Sequence, residues 1–295
     1  MKLFDLHCDT PSLCFKEKIP FKNKISAVKE DTLKRFDAAV QICAIFTRDD
    51  EANAFNHYKE TVNYFKKHIT LPINDLASPH TVLLSVEGGS VFEGDPDKVF
   101  DIYKDGIRTV SLTWNGENHL AGGVLTDVGL KECGKQVIKN LNSLNMALDL
   151  SHLNDKSFFE AIELAQKPIA THSNCRAVCE NKRNLTDEQL KLIKDKNGIV
   201  GINFYPPFLN DKNVMHNIFL NIQHMMNLGL ENNIAIGSDF DGGQMAEELD
   251  CTEKTPDLYD FLLKMGIDTK LMNKIFFENA FGFYKKLFDN SKNIV

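Results

Sequence analysis

The chain alternates short apolar runs with amphipathic segments. Within each run the apolar residues are largely consecutive instead of alternating with polar ones, which is typical of parallel strands buried on both faces. The pattern therefore predicts eight such strands. The runs are Leu3–Leu6, Ala38–Phe46, Thr81–Val86, Thr109–Thr113, Met146–Leu150, Pro168–Thr171, Ile199–Phe204 and Ile234–Gly237.

Helical periodicity marks the segments between these runs. In Glu51–His68, apolar side chains recur every three or four residues, as on one face of a helix. Thr186 and Gln189 form a capping-box pattern near the start of another helix, and Gly229 suits a helix C-terminal cap. The predicted helices are Glu51–His68, Asp155–Ala165, Leu185–Lys196, Asn213–Leu228 and Leu271–Leu287.

Strand-like runs that alternate with helices in a chain of this length predict a single-domain (β/α)8 barrel over residues 1–295. The competing architecture is a doubly wound open sheet, which needs a glycine-rich phosphate-binding turn after an early strand. The sequence contains no G-x-G-x-x-G motif. We therefore expect the closed barrel.

The amino-acid composition argues against two classes of protein, nucleic-acid-binding proteins and membrane-spanning proteins. The 295 residues include 34 Lys and Arg against 41 Asp and Glu, a formal net charge of −7. Such a chain does not favour nucleic-acid binding, which normally needs a basic patch. No run of about 18 apolar residues occurs, so we expect no membrane span.

The N-terminal segment and the cysteines predict a cytoplasmic protein. Charged residues lie within Met1–Asp9, where a signal peptide needs an apolar stretch. The seven cysteines are an odd number without framework spacing, which fits reduced thiols.

Polar side chains follow five of the predicted strands at their C-terminal ends. In a (β/α)8 barrel these ends form one rim, where active sites are built. Each residue alone has an ordinary structural explanation, such as helix capping by an aspartate. Together they would leave uncompensated charge unless cations neutralise it. The residues are His7, Asp9, Glu87, His152, His172, Asp239 and Asp241.

The spacing predicts a binuclear metal site. His7 and Asp9 lie on the same side of an extended segment, so both can bind one metal. His152 and His172 follow neighbouring strands and can bind a second metal, and Glu87 has two oxygens with which to bridge the pair. Imidazole and carboxylate ligands suit zinc in an open catalytic site. Two zinc ions would hold a shared hydroxide as nucleophile and polarise a substrate carbonyl.

Five short motifs contain the polar residues of the rim. They are His7-Cys8-Asp9, Val86-Glu87-Gly88-Gly89, Asp149-Leu150-Ser151-His152, Thr171-His172-Ser173-Asn174 and Gly237-Ser238-Asp239-Phe240-Asp241-Gly242. In order and spread they resemble the signatures of the membrane (renal) dipeptidase family of zinc peptidases.

The resemblance implies a (β/α)8 barrel with one zinc on His7, Asp9 and Glu87. It implies a second zinc on Glu87, His152 and His172. It also implies hydrolysis of dipeptides, tolerance of a D-residue at their C-terminal position, and membership of the soluble bacterial branch.

The resemblance implies roles for residues outside the ligand set. Arg183 resembles the family's arginine that binds the terminal carboxylate of the substrate, and a planar guanidinium fits a carboxylate in a bidentate fork. Asp239 resembles the family's acid/base aspartate, which would pass a proton from water to the leaving amine. Tyr205 resembles a backbone contact near the substrate. The family also suggests a homodimer.

One departure from the family pattern affects the substrate pocket. After the fourth strand, better-known members carry a histidine within a Leu-Thr-His pattern, whereas this chain reads Leu112-Thr113-Trp114-Asn115. Trp114 is expected either to pack or to line the pocket. Asn115 or His119, in the same loop, would supply the hydrogen bond that the histidine makes.

Two alternative functions stay open. Another metal-dependent amidohydrolase, such as an N-acyl-amino-acid deacylase or a deaminase, typically begins with H-x-H and often uses a carboxylated lysine. His7-x-Asp9 and Glu87 disfavour it. A barrel that binds metal or peptide without turnover is the alternative from another class, and Trp114 is its best support. The sequence favours a zinc-dependent dipeptidase.

Overall fold

In the computed structural model, which describes residues 1–291, eight parallel strands close into a barrel. Each strand pairs with the next along the chain, and the last pairs with the first through Asp5 and Ile236. The predicted (β/α)8 barrel is confirmed. The strands are β1 (Lys2–Asp5), β2 (Ala38–Phe46), β3 (His80–Glu87), β4 (Ile107–Ser111), β5 (Ala147–Asp149), β6 (Pro168–Ala170), β7 (Ile199–Ile202) and β8 (Ile234–Ile236).

Helices connect the strands and pack around the barrel. They are α1 (Thr10–Glu17), α2 (Glu30–Leu33), α3 (Ala54–Lys67), α4 (Lys98–Lys104), α5 (Glu132–Ser143), α6 (Asp155–Leu164), α7 (Asp187–Asp195), α8 (Val214–Asn227), α9 (Thr255–Lys264), α10 (Thr269–Asn273) and α11 (Asn279–Ser291). A π-helical turn, Lys274–Glu278, joins α10 to α11. Short 3₁₀ turns lie at Gly89–Phe92, Pro206–Phe208, Glu247–Leu249 and Thr252–Lys254.

Each predicted apolar run overlaps one strand of the barrel, and the predicted and observed strands differ only in where they begin and end. β2 has the predicted bounds, because Ala38 pairs with Lys2 of β1 and the rest of the run, from Ala39 to Phe46, pairs with β3. β4 begins two residues earlier than predicted, because buried Ile107 already pairs with Leu84. β7 ends before Asn203, whose N–H donates to the side chain of Asn174 (3.0 Å) instead of continuing the strand.

The capping predictions for the helices are confirmed. The hydroxyl of Thr186 accepts a hydrogen bond from the N–H of Gln189 (3.2 Å), and Gln189 Oε1 accepts from the N–H of Thr186 (2.8 Å). Gly229 follows α8 with φ +76°, the left-handed conformation that a C-terminal glycine provides. Among residues 1–291, no helix combines the length and the apolar character that crossing a membrane requires.

The amino-terminal half of the barrel interior is apolar. Buried apolar side chains, among them Phe4, Val40 and Leu83, form one cluster there, and α11 contributes Tyr284 to it. The Tyr284 ring stacks on Phe4 with centroids 5.4 Å apart, and its hydroxyl lies 2.8 Å from Thr109 Oγ1. This end of the barrel is thus filled mainly by apolar side chains.

Candidate metal centre and active site

The carboxyl ends of β1, β3, β5, β6 and β8 bring the predicted polar residues together. The side chains of His7, Glu87, His152 and His172 are all at most 7% exposed. Among residues 1–291, ligand atoms lie within 4.8 Å of one another in three overlapping groups. These groups are His7, Asp9 and Glu87; Glu87, His152 and His172; and His7, His172 and Asp239.

The two carboxylate oxygens of Glu87 point to two different groups of side chains. His7 with Asp9 is the first histidine set, and His152 with His172 is the second. Oε2 lies 3.5 Å from His7 Nε2, which is also 3.4 Å from Asp9 Oδ2. Oε1 lies 2.7 Å from His152 Nε2 and 3.5 Å from His172 Nε2. One oxygen toward each set is the arrangement that a bridging carboxylate needs.

Cys8, between two of these residues, points away from them. Its Sγ lies 3.8 Å from Cys43 Sγ, in the direction that strand alternation predicts. Both are free thiols, as are the other cysteines of the described residues. The predicted ligand set therefore contains no thiolate.

Hydrogen bonds to the Nδ1 atoms of His152 and His172 determine which ring nitrogen carries the proton. The Thr171 hydroxyl donates to Asp149, so its oxygen accepts from His172 Nδ1 at 2.7 Å. His152 Nδ1 lies 2.8 Å from Asn115 Oδ1, which can only accept, so this nitrogen carries the proton. Both Nε2 atoms consequently present lone pairs, and they lie 2.8 Å apart.

The residues present fit a pair of metal ions. Within the described residues, His7 Nε2 and Asp9 Oδ1 are buried and have no hydrogen-bond partner. Buried polar atoms without partners are rare and costly, and here they point into a group of ligand atoms. Cations at this place would satisfy both atoms and separate the facing lone pairs of His152 and His172.

Burial and crowding of charge shift the pKa values of the site in opposite directions. Burial, with repulsion from Glu87, raises the pKa of Asp9 to about 8. Burial also raises the pKa of Asp239 to about 6, although His7 opposes it. Burial and the charge of Arg183 lower the pKa of His152 to about 4. Without a bound cation, burial thus favours the neutral form of each of these three groups.

Two loops of the site hold a non-glycine residue in the left-handed backbone region, which residues with a side chain rarely adopt. His152 has φ +71° and Asp239 has φ +65°. Non-glycine residues hold such angles only where the surrounding structure enforces them, and they cluster at functional sites. Next to Asp239, Ser238 donates from its N–H (2.8 Å) and its hydroxyl to buried Asp5.

A cavity of about 640 Å³ opens onto the polar cluster. Asp239, His152 and three of the predicted contacts line it: Tyr205, Trp114 and Asn115. Trp114 lines the cavity and also packs edge-on against Phe46, with ring centroids 5.5 Å apart. His119 does not join them within the described structure: it is exposed and its ring faces Gly94. We therefore leave His119 out of the site.

Arg183 is buried beside the same cluster. Its guanidinium carbon lies 5.2 Å from the ring centre of Phe208, which lines the cavity. One N–H is 3.4 Å from the carbonyl of His172, and Nε has no partner within the described residues. A buried cation with spare donors is suited to an anionic ligand.

Sequence reasoning missed two residues that line the cavity: Phe46, the last residue of β2, and Arg48, two residues further on. Their position at the carboxyl end of a predicted strand was the available signal. It also missed the supporting roles of Asp149 and Thr171, because their hydrogen bonds to each other and to His172 form only in the folded loops.

A parallel barrel with histidine and carboxylate ligands on its carboxyl rim defines a barrel metalloenzyme. The chain belongs to the membrane dipeptidase family, Peptidase family M19, whose model matches residues 1–294. The resemblance stated from the motifs is confirmed, and the protein is a metallo-dipeptidase, a hydrolase of peptide bonds.

The chain is similar to two curated proteins in sequence and to one solved structure in fold. The chain is 34% identical over 209 residues to the uncharacterized protein in the pqqA 5′ region of Klebsiella pneumoniae, covering 66% of this chain and 77% of the relative. It is 28% identical to an uncharacterized dipeptidase of Schizosaccharomyces pombe, covering 72% of this chain and 54% of that protein. A Rhodobacter sphaeroides metallopeptidase, solved with a phosphinate mimic of L-Ala-D-Ala, shares the fold with a TM-score of 0.88, 22% identity, and coverage of 97% and 99%.

Proposed function

We propose that the protein hydrolyses free dipeptides with two zinc ions bound by His7, Asp9, Glu87, His152 and His172. The observation that carries the proposal is Glu87, which directs one oxygen to each histidine set. Nitrogen and oxygen ligands of this kind suit zinc. When bound, two zinc ions would supply a hydroxide nucleophile at neutral pH and polarise the scissile carbonyl.

Asp239 is proposed to carry the proton. It lines the cavity, its Oδ1 lies 3.9 Å from His7 Nε2, and its Oδ2 accepts a hydrogen bond from Asn203 (3.0 Å). A carboxylate at this place can accept a proton and donate it again, as a general base and acid does. In this role it takes a proton from the attacking water and gives it to the leaving amine.

Arg183 is proposed to bind the terminal carboxylate, which lies at a fixed short distance from the scissile bond of a dipeptide. Burial and the spare donors of its guanidinium support this role. Tyr205, Trp114 and Asn115 contribute cavity wall around the substrate. Tolerance of a D-residue at the C-terminal position belongs to the same proposal, and the mimic in the Rhodobacter sphaeroides protein contains one. The cytoplasmic location, the homodimer and the single-domain organisation stay predictions.

The test compares substrates and Arg183 variants. We expect zinc restored after chelation to recover hydrolysis of free Xaa-D-Ala dipeptides, with much lower rates on C-terminally amidated dipeptides and on N-acetyl amino acids. Arg183→Ala should lower kcat/KM sharply for free dipeptides and little for amidated ones. Arg183→Lys should rescue only in part, because it keeps the charge and loses the bidentate fork.

Two results would contradict this proposal. Equal wild-type rates on the free acid and the amide would remove the carboxylate contact. Faster hydrolysis of N-acetyl amino acids than of dipeptides would favour a deacylase. Zinc content and thermal unfolding of each Arg183 variant serve as the control for intact folding.

A further inference from the structure

The loop after β4 is held in place by a carboxylate from the loop after β2. Asp49 Oδ1 accepts the N–H of Trp114 (3.0 Å), and Oδ2 accepts the N–H of Gly116 (2.6 Å). Asn115 lies between these two amides. Its own carbonyl accepts from the N–H of Leu125 (2.9 Å), so its backbone is fixed from both sides.

The side chain of Asn115 reaches the metal-ligand cluster. Its Oδ1 lies 2.8 Å from His152 Nδ1, while His152 Nε2 faces Glu87 Oε1 at 2.7 Å. An amide oxygen accepts only, so it keeps the proton on Nδ1 and leaves the Nε2 lone pair for a metal. Without such a partner, either nitrogen of a neutral imidazole can hold the proton.

The other histidine of this ligand set has a different partner. His172 Nδ1 is held by Thr171, whose hydroxyl donates to the Asp149 carboxylate. No comparable carboxylate relay contacts His152 Nδ1 among the hydrogen bonds of residues 1–291, and Asn115 takes that place. The hydrogen bond to Asn115 also opposes rotation of the His152 ring. The backbone of His152 itself has φ +71°.

We infer that Asn115 is a positioning residue for the metal bound by Glu87, His152 and His172, and that Asp49 in turn positions Asn115. The inference rests on the proposed metal centre. It gives Asn115 a role through His152, in place of the substrate hydrogen bond expected from the sequence. Groups that orient metal-bound histidines typically change metal affinity or activity about 10–100-fold when they are removed.

Two substitutions of Asn115 separate the roles. Asn115→Leu removes the acceptor, and Zn²⁺ titration against a competing chelator should show roughly 10–100-fold weaker binding of one of two equivalents. Asn115→Asp keeps an oxygen acceptor and should retain both equivalents near wild-type affinity. If Asn115 instead donates its amide N–H to substrate, both variants should raise KM alike and leave Zn²⁺ affinity unchanged, which would overturn the inference.

Asp49 is tested with a control from the loop it supports. Asp49→Ala should weaken the same Zn²⁺ equivalent, by less than Asn115→Leu, because it frees the loop without removing the acceptor. Glu117→Ala is the control, since Glu117 lies in this loop and pairs with Lys131 at the surface. Equal Zn²⁺ affinities for Asp49→Ala and Glu117→Ala would overturn the role of Asp49.

The outcomes also distinguish this inference from the proposed function. If the wild type binds Zn²⁺ but cleaves no dipeptide, the proposed function fails, and the Asn115 titration still decides the inference. If the wild type cleaves dipeptides and Asn115→Leu binds both equivalents as tightly, the inference alone fails. Far-UV circular dichroism of each metal-free variant confirms that the fold is intact.

Discussion

At the scale of single residues, two buried aspartates organise the rim without entering the cavity. Asp149, at the end of β5, accepts the N–H groups of Ser151 and Thr171, both at 3.0 Å. Asp5, at the end of β1, accepts the N–H of His7 (3.3 Å) and that of Ser238 (2.8 Å). Each links its own strand end to that of a neighbouring strand, and each lies next to a ligand-bearing loop.

Asp239→Asn tests the proton-transfer role at this scale. We expect zinc content and folding to be retained while kcat falls roughly 10²–10⁴-fold, because an amide is nearly isosteric but cannot exchange the proton. The contact with Asn203 can persist, since the new amide still offers an oxygen acceptor. The measurement is kcat on a free dipeptide together with metal analysis. Turnover within a few-fold of the wild type would assign the proton to another group.

The ligand residues were predictable because they depend on local rules. His7 and Asp9 follow a strand end and lie on the same side of it, and both facts are readable from the sequence. The sequence left Asn115 and His119 as alternative hydrogen-bond partners of the substrate. It could not reveal the contact of Asn115 with His152, because that contact depends on a loop whose amides bind Asp49. His119 lies in the same loop, yet its direction is set by the path of the backbone and not by its spacing from β4.

At the scale of elements, Glu30 joins α2 to the segment after α3. Its buried carboxylate accepts Lys34 Nζ (2.6 Å), the N–H of Thr70 (3.1 Å) and the Thr70 hydroxyl. Burial alone would raise the pKa of Glu30, but these hydrogen bonds outweigh it and lower the pKa below 4.5. The carboxylate therefore stabilises the fold above this pH and loses that contribution as pH falls through the folded value.

Glu30→Gln tests this connection. We expect the free energy of unfolding at pH 7 to fall by about 1–3 kcal/mol, because a buried group loses charge-assisted hydrogen bonds. The difference from the wild type should shrink as pH falls through the folded pKa of Glu30, where the wild-type carboxylate also takes up a proton. Urea denaturation of the metal-free protein measures both. Asp31→Asn, in the same helix but exposed, should change stability little, and an equal loss there would contradict the assignment.

The elements themselves were predicted better than their irregularities. Continuous apolar runs located all the strands, since a strand covered on both faces has little choice of residue. The predicted helix Leu271–Leu287 lies within a longer helical segment that starts at Thr269 and contains the turn Lys274–Glu278. The π-helical turn spans only five residues, whereas hydrophobic periodicity is read over windows of about 11–18 residues, so the pattern could not reveal it.

At the scale of the molecule, the barrel separates stability from chemistry. The apolar cluster around Phe4 and Tyr284 fills the amino-terminal end, and the ligand cluster lies at the carboxyl end. Tyr284 is fully buried and its hydroxyl pairs with Thr109. Residues at one end that share no partners with those at the other should contribute additively to the free energy of unfolding.

Tyr284 variants test this separation. Tyr284→Ala should lower the free energy of unfolding by about 3–5 kcal/mol, since it leaves a cavity where a buried aromatic ring packs. Tyr284→Phe keeps the ring and loses one hydrogen bond, so about 1 kcal/mol is expected. Urea denaturation with and without saturating Zn²⁺ should show the same zinc-dependent gain in the wild type and in Tyr284→Phe, because ligand binding to the native state adds a fixed term. A reduced gain, or a large loss of kcat at full zinc occupancy, would show that the two ends of the barrel are coupled.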